Sequence, residues 1–241
     1  MTEPGTLLDI IRLVVGIAIL SYASYTDIKT RRASNLLWVI MGSIGGILLI
    51  VQYFTIGFDD IRLLLSIPLM IGFFYILFQL RLIFGGADAK ALMALSILVP
   101  LKPIIDGFPI YNALPIFTWT IFSNSVLLFL FIPLTLLVFN IVKRNSEFPY
   151  CLLGYKMAIE KAKEKFVWPL EKIKDGKRKF MYMPKDFDTE KELEEFEKIG
   201  INEIWVTPKI PFMIPLLVGF IASFIFGDIL FHLINAIRSM L

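Results

Sequence analysis

The chain has 241 residues, of which 57% are hydrophobic and only 19% charged, with a formal net charge of +3. Its mean hydropathy of +0.73 excludes an ordinary soluble domain, because such a fold cannot hide that much apolar side chain. The small net charge gives no reason to expect a nucleic-acid partner. A single cysteine and a single histidine exclude a disulfide framework, paired-cysteine metal sites and the usual serine–histidine chemistry. We therefore predict an α-helical polytopic membrane protein whose catalytic groups would mainly be carboxylates.

Apolar runs in the sequence predict about six transmembrane helices, since a helix needs roughly 20 apolar residues to cross about 30 Å of hydrocarbon. The runs cover residues 7–26, 36–54, 63–80, 88–101, 125–142 and 210–233. The fourth run is short, which is typical of a helix that is tilted, shielded by its neighbours or begins inside a cavity. Pro133 predicts a kink in the fifth.

Residues 143–209 interrupt this pattern, because they carry most of the charged residues and must lie in water. They predict a soluble domain between a membrane domain at residues 1–142 and a last span with the C-terminus at residues 210–241, which belongs to the membrane domain. A helix is predicted from Asp188 to Lys198, and short strands at Lys179–Met183 and Glu203–Thr207. The domain is therefore expected to be a small cytoplasmic α+β unit.

Lysine and arginine in the loops predict the orientation of the spans in the cell membrane. The first loop is basic, Arg81 lies in the third, and the long fifth loop is rich in lysine. These three loops are therefore expected in the cytoplasm. Asp27 at the end of the first span and Asp88 at the start of the fourth would then lie on the same cytoplasmic side.

Asp27 and Asp88 need an explanation, because a carboxylate beside the bilayer is costly. Together they suggest one shared acid/base site. For each there is a simpler interpretation: Asp27 could be a boundary residue that pairs with Lys29 or Arg31, and Asp88 could be a plain N-cap of the fourth helix. Before Asp88, two glycines would free the backbone for a tight turn.

The residues around both aspartates resemble a known family. The segment Gly85-Gly86-Ala87-Asp88-Ala89-Lys90 is similar to the GxGD motif, followed by x-Lys, of the type IV prepilin peptidases and archaeal preflagellin peptidases. Around Asp27, the resemblance to the site of the family's other catalytic aspartate includes Lys29, Thr30, Arg31, Arg32 and Asn35. Ala87 replaces the second glycine of the motif, which removes access to positive φ without strain.

This resemblance implies a membrane aspartic endopeptidase that needs no metal and no cofactor. It implies that Asp27 and Asp88 are catalytic, with Gly85, Gly86, Ala87 and Lys90 as supporting residues of the motif. It also implies that the substrate is bound through Lys29, Arg31, Arg32 and Asn35. The expected partners are the lipid bilayer and a preflagellin or pilin-like precursor with a short basic leader that ends in glycine. One cysteine cannot supply the paired-cysteine motifs of an added methyltransferase.

Other functions would use the same residues differently. In a small proton- or ion-coupled transporter, both aspartates would be relays. Against this, both lie near one membrane face, and the sequence has no obvious pair of matching broken helices. A presenilin-like intramembrane protease would also use two aspartates, but the sequence does not match its arrangement of nine transmembrane helices. In a non-catalytic assembly factor, the aspartates would be merely structural.

Overall fold

A computed structural model describes residues 4–83, 85–165, 167–174, 177–181, 189–209 and 211–240. The chain divides into two compact units, one formed by residues 1–129 with 211–241 and the other by residues 130–210. The second unit begins within a long helix, thirteen residues before position 143, where the sequence predicts that the soluble domain begins (143 − 130 = 13). The domain boundaries drawn from the sequence stay a prediction.

Helices make up most of the described residues. They are α1 Pro4–Thr30, α2 Asn35–Thr55, α3 Ser66–Gln79, α4 Gly86–Leu98, α5 Phe117–Val142, α6 Tyr150–Leu153, α7 Ile159–Glu164, α8 Thr189–Lys198, α9 Met213–Phe226 and α10 Ile229–Met240. A 3₁₀ turn at Ile61–Leu65 leads directly into α3. The strands are β1 Tyr155–Ala158, β2 Val167–Pro169, β3 Glu171–Lys174, β4 Lys177–Phe180 and β5 Glu203–Pro208.

Four helical segments of the described chain are long and apolar enough to cross a membrane: α1, α2, the 3₁₀ turn with α3, and α5. A fifth span results if α9 and α10, which meet at an angle of 59°, count as one. The predicted count of six is therefore not confirmed. The fourth predicted span corresponds to α4, which has 13 residues and is therefore only about 20 Å long.

Small residues let the helices of the first unit approach closely. A Cβ added at Gly45 of α2 would lie 2.6 Å from the Cα of Leu98 in α4. A Cβ at Gly16 of α1 would lie 2.3 Å from the ring of Phe220 in α9. Such close approach at glycines is typical of membrane helices, because small residues permit dense packing where the hydrophobic effect does not drive association.

A polar network fastens the end of the first unit where α1 begins. Arg12 and Asp9 form a buried ion pair with 2.7 Å between Nη1 and Oδ1. Arg12 also donates to Gln52 at the end of α2, over 2.7 Å. The other carboxylate oxygen of Asp9 accepts the backbone N–H of Ile104 at 2.7 Å. This network ties α1, α2 and the loop after α4 together.

The last predicted span is not one continuous helix, which corrects the expectation for residues 210–233. Gly227 separates α9 from α10 with a φ of 78°, a conformation that favours glycine. Asn124 of α5 donates to the carbonyl of Gly227 and accepts the N–H of Ile229. Asp228 then caps α10 by accepting the N–H of Phe231 at 2.9 Å. These side chains satisfy the backbone groups that the break sets free.

The second unit contains both described sheets. β5 is central and pairs antiparallel with β1 and β2, while β3 and β4 form a separate antiparallel pair. The predicted helix and the strand at Glu203–Thr207 correspond to α8 and β5. The predicted strand at Lys179–Met183 corresponds in part to β4, and its last two residues lie outside the described residues.

Buried side chains join the elements of the second unit. One group packs α7 and α8 against the central sheet and consists of Met157, Ile159, Ala162, Val167, Leu193, Phe196, Ile204 and Val206. Glu147 accepts hydrogen bonds from Lys156 at 2.6 Å and from the indole N–H of Trp205 at 3.1 Å. The hydrogen bond from Lys156 lowers the pKa of Glu147.

Replacing Gly45 with alanine tests the contact between α2 and α4. The added methyl group has no room against the backbone of Leu98, so we expect Gly45→Ala to destabilise the protein by about 1–3 kcal/mol. Thermal unfolding in detergent measures the effect. Gly46→Ala is the matched control, because no atom lies within 4 Å of a Cβ at that position. Equal unfolding temperatures for the two variants would contradict this packing.

Candidate active site

Asp27 lies in the last turn of α1, at the end of the buried face of that helix. Buried residues recur every three to four positions along α1, as a helix packed on one side requires. They are Leu8, Asp9, Arg12, Gly16, Leu20, Ala23 and Ser24. Asp27 follows Ser24 by three residues and is itself partly buried. The charge of Arg31, one turn further on, acts on the Asp27 carboxylate.

Asp88 lies in the first turn of α4, but it is not the N-cap. The N-cap is Gly85, and no side chain caps this end of the helix. The N-cap interpretation of Asp88 is therefore wrong. The helix begins at Gly86, before Asp88, which leaves the carboxylate available for other contacts.

Asp27 and Asp88 lie on two helices that contact each other, α1 and α4. The two carboxyls are close enough for the charge of Asp27 to act on Asp88. Both side chains are partly buried, so water screens this interaction less than it would at an exposed surface. A pair of interacting carboxyls in such surroundings is suited to proton transfer.

The sequence predicted that the two glycines before Asp88 allow a tight turn, but the structure shows a different role for them. Gly85 has a φ of −88°, and Gly86 and Ala87 belong to α4, so the left-handed region is not used here. Gly85 instead leaves space for the Asp88 carboxylate, which a Cβ at position 85, 2.1 Å from Oδ2, would force to move. Ala87 packs against the apolar core. Since its backbone is helical, its methyl group causes no strain.

Two further residues of the predicted site meet each other. The ammonium group of Lys90 in α4 donates to Oδ1 of Asn35, the first residue of α2, at 2.8 Å. Asn35 follows Ser34, whose hydroxyl caps α2 by accepting the N–H of Leu36 at 3.3 Å. This bond connects the start of α2 to α4 near the beginning of that helix.

The remaining basic residues do not converge on the carboxyls in the same way. Lys29 lies over the ring of Tyr25, 4.5 Å from its centroid, and donates to the hydroxyl group of that residue. Arg31 has a φ of 54° and ends α1. Arg32 is exposed. All three are near the end of α1, and the charge of Arg31 acts on Asp27.

Sequence reasoning missed two polar residues near this end of the unit, Ser24 in α1 and Trp38 in α2. Both are buried, with 6% and 5% of their surface exposed. Ser24 is three residues before Asp27, and Trp38 is three residues after Asn35. In the sequence, the signal that could have identified Ser24 and Trp38 is their spacing of three residues from Asp27 and Asn35, which places each pair on one face of a helix.

Comparison with known proteins defines the class of protein. The model of the type IV leader peptidase family matches residues 14–139, and a model described as archaeal peptidase A24 C-terminus type II matches residues 146–229. The chain belongs to the type IV leader peptidase family. It is therefore a membrane protein and a protease.

Individual relatives narrow the comparison. The chain is similar to the preflagellin peptidase of Methanococcus voltae, with 28% identity over 235 residues, and to that of Methanococcus maripaludis (strain C6), with 29% identity over 239 residues. Each alignment covers 90% of this chain and 96% of the relative. The preflagellin peptidase of Methanocaldococcus jannaschii is 28% identical over 230 residues, which cover 90% of this chain and 94% of that protein.

Gly85 and Gly86 give a matched pair of substitutions. Gly85→Ala would drive a methyl group into the Asp88 carboxylate, so we expect it to lower peptidase activity by at least roughly tenfold. Gly86→Ala should retain activity, because the nearest atom to its Cβ is 3.7 Å away in Phe78 and alanine favours a helix. Cleavage of a leader-bearing precursor in membranes measures both. Loss of activity in Gly86→Ala alone would refute the steric explanation.

A double-mutant cycle tests the bond between Lys90 and Asn35. If the bond holds α4 against α2, Lys90→Met and Asn35→Ala should each reduce kcat/KM by roughly threefold to tenfold. The kcat/KM of the double variant should then be no lower than that of the less active single variant. Lys102→Met, an exposed lysine near the opposite end of α4, is the control. Additive losses would show that the two residues act independently.

Proposed function

We propose that this chain is an aspartic endopeptidase that removes the N-terminal leader of a preflagellin or pilin-like precursor. Asp27 and Asp88 form the catalytic dyad, and the active site faces the cytoplasm. One observation carries the proposal: two carboxyls from separate helices interact at one end of a helical unit, in a member of a leader peptidase family.

The chemistry needs both carboxyls and one shared proton. The ionised carboxylate takes a proton from water, whose oxygen attacks the carbonyl carbon of the scissile peptide bond. The protonated carboxyl meanwhile donates to the carbonyl oxygen. When the tetrahedral intermediate collapses, the C–N bond breaks and the leaving nitrogen receives a proton from the dyad. Two like charges at close range cannot both remain ionised easily, which favours this mixed protonation state.

The proposed orientation follows from the loops next to the dyad. Lys29, Arg31 and Arg32 end α1 or follow it, and Arg81 follows α3. Basic loops stay in the cytoplasm. A dyad on that side would cut the leader while the following hydrophobic segment of the precursor stays in the lipid bilayer. The product would keep that segment.

The proposed substrate class follows from the relatives, which are named preflagellin peptidases. The same mode of binding would suit a pilin-like precursor, since it too carries a leader before a hydrophobic helix. We assign substrate contacts to Lys29, Arg31, Arg32 and Asn35, which surround the dyad end of α1 and α2. The transporter alternative is not favoured, because the family match is to peptidases.

Removing either carboxyl tests the dyad. We expect Asp27→Asn and Asp88→Asn each to lower precursor cleavage by at least roughly 100-fold, because an amide can neither take up nor supply the proton. The measurement is the shift in size of a tagged preflagellin that is co-expressed in membranes. Asp59 is an exposed aspartate in the loop after α2, and the Asp59→Asn variant should cleave the precursor at the normal rate. Cleavage by either dyad variant at the normal rate would end the proposal.

A further inference from the structure

Helix α10 leaves α9 at an angle of 59°, and side chains hold it in that direction. Asn124 of α5 is buried, donates to the carbonyl of Gly227 at 2.8 Å and accepts the N–H of Ile229 at 3.1 Å. Asp228, also buried, accepts the N–H of Phe231. Because backbone groups on both sides of the break are satisfied, α10 has a fixed direction and does not continue the axis of α9.

The loop between α4 and α5 places this bend at the end of the first unit opposite the dyad. Helix α4 carries Asp88 in its first turn and ends at Leu98, so the loop that follows lies at the far end. There the N–H groups of Ile110 and Tyr111 donate to the last two carbonyls of α9, at 2.9 and 3.0 Å. The ring of Tyr111 also stacks on that of His232 in α10, with 3.8 Å between centroids. Helix α10 therefore begins at the level of this loop, where α4 has already ended.

The exposed side of α10 is an apolar stripe with the i, i+3, i+4, i+7 spacing of one helix face. The stripe consists of Leu230, Leu233, Ile234 and Ile237, which are between 39% and 59% exposed. No residue of α10 is buried. At 100° per residue, Asn235 and Ser239 fall on the side of the helix opposite the stripe, and Arg238 falls at its edge. The helix is therefore amphipathic, and the apolar stripe has no partner in the described part of the chain.

Neither the length nor the pattern of α10 suits a helix that crosses a bilayer. Its 12 residues extend about 18 Å, whereas the hydrocarbon core is about 30 Å thick. At 59° to α9, the whole helix advances only about 9 Å along the axis of α9. It therefore stays close to one level. An amphipathic helix of this kind lies in the plane of a membrane interface, with its apolar face at the boundary of the acyl chains.

We propose that α10 is an interfacial helix on the membrane surface opposite the dyad, with its apolar stripe among the lipid acyl chains and Arg238 beside the headgroup phosphates. This inference goes beyond the proposed function and does not depend on it. Lipid is the occupant because the stripe follows directly on Ile225 and Phe226, exposed apolar side chains of α9, and because a guanidinium group at its edge complements phosphate. The C-terminal family model ends at residue 229, so the family match assigns no role to α10.

An interfacial α10 would set the depth of other helices in the bilayer. Helix α9 contacts α1, and the ring of Phe220 fills the space beside Gly16. A helix that lies in the interface resists movement along the membrane normal, because its apolar and polar sides need different surroundings. The depth of α9, and with it that of α1, is then fixed at the end opposite Asp27.

Spin labels on the full chain in liposomes of zwitterionic and anionic phospholipid measure the depth of each position. Cys151→Ala removes the chain's one cysteine, and single cysteines introduced between positions 230 and 239 then carry a nitroxide. We expect collisions with oxygen and with a water-soluble nickel chelate to alternate with a period of about 3.6 residues, without a trend along the helix. Labels on the stripe should lie about 5–10 Å below the phosphates, and labels at positions 235 and 239 should lie in water.

Three results would overturn the inference. A steady change in depth of about 1.5 Å per residue would show that α10 crosses the bilayer. Protection of the stripe from both reagents, with spectra broadened by a neighbouring label, would show that a second copy of the chain covers it. Collision of the stripe labels with the nickel chelate at the rate of the labels at positions 235 and 239 would show that the stripe faces water.

A charge on either side of α10 gives a matched pair of variants. With the label at position 237, Ile234→Asp should raise collisions with the nickel chelate by at least about threefold, because a carboxylate is costly to bury among acyl chains. Asn235→Asp is the control, since it places the same charge on the polar side and should leave the label at its original depth. Equal effects of the two variants would contradict insertion of the stripe.

Discussion

The packing of α4 between its neighbours decides where Asp88 lies, and the rest of the site depends on it. This helix of 13 residues contacts α1, α2 and α3. Gly45 brings α2 against its last turn, and the bond between Lys90 and Asn35 joins it to α2 near its first turn. A helix fixed at both ends holds its first-turn carboxylate in one position. The contact between α1 and α4 then places Asp27 near Asp88.

The two ends of the first unit use buried charge in opposite ways. At the start of α1, Asp9 is paired with Arg12 and accepts a backbone N–H, so its charge is neutralised and stabilises the fold. At the end of α1, Asp27 lies near a second carboxyl, and repulsion between two like charges costs free energy. The same residue type is therefore structural at one end of the helix and, in the proposed mechanism, catalytic at the other.

Parts of this arrangement could be predicted from the sequence. Loop charges predicted that Asp27 and Asp88 share one side of the membrane, which stays a prediction, and the motif around Asp88 suggested the family that comparison then established. Other parts depend on contacts between distant residues. The break at Gly227 is stabilised by Asn124 of α5, and the space left by Gly85 is occupied by a carboxylate three residues away. Ser24 and Trp38 look like ordinary core residues in the sequence, and only the structure shows that their polar groups are buried without a hydrogen-bond partner among the described residues.

Proximity of the two aspartates in the membrane is the central claim, and chemical cross-linking measures it most directly. Cys151 is the chain's one cysteine, so Cys151→Ala gives a background in which Asp27→Cys and Asp88→Cys introduce the only thiols. A short thiol-reactive linker should join them in native membranes. It should not join Asp27→Cys to Asp106→Cys, which lies in the loop after α4. No link between positions 27 and 88, while both thiols still react with a monofunctional reagent, would contradict the account.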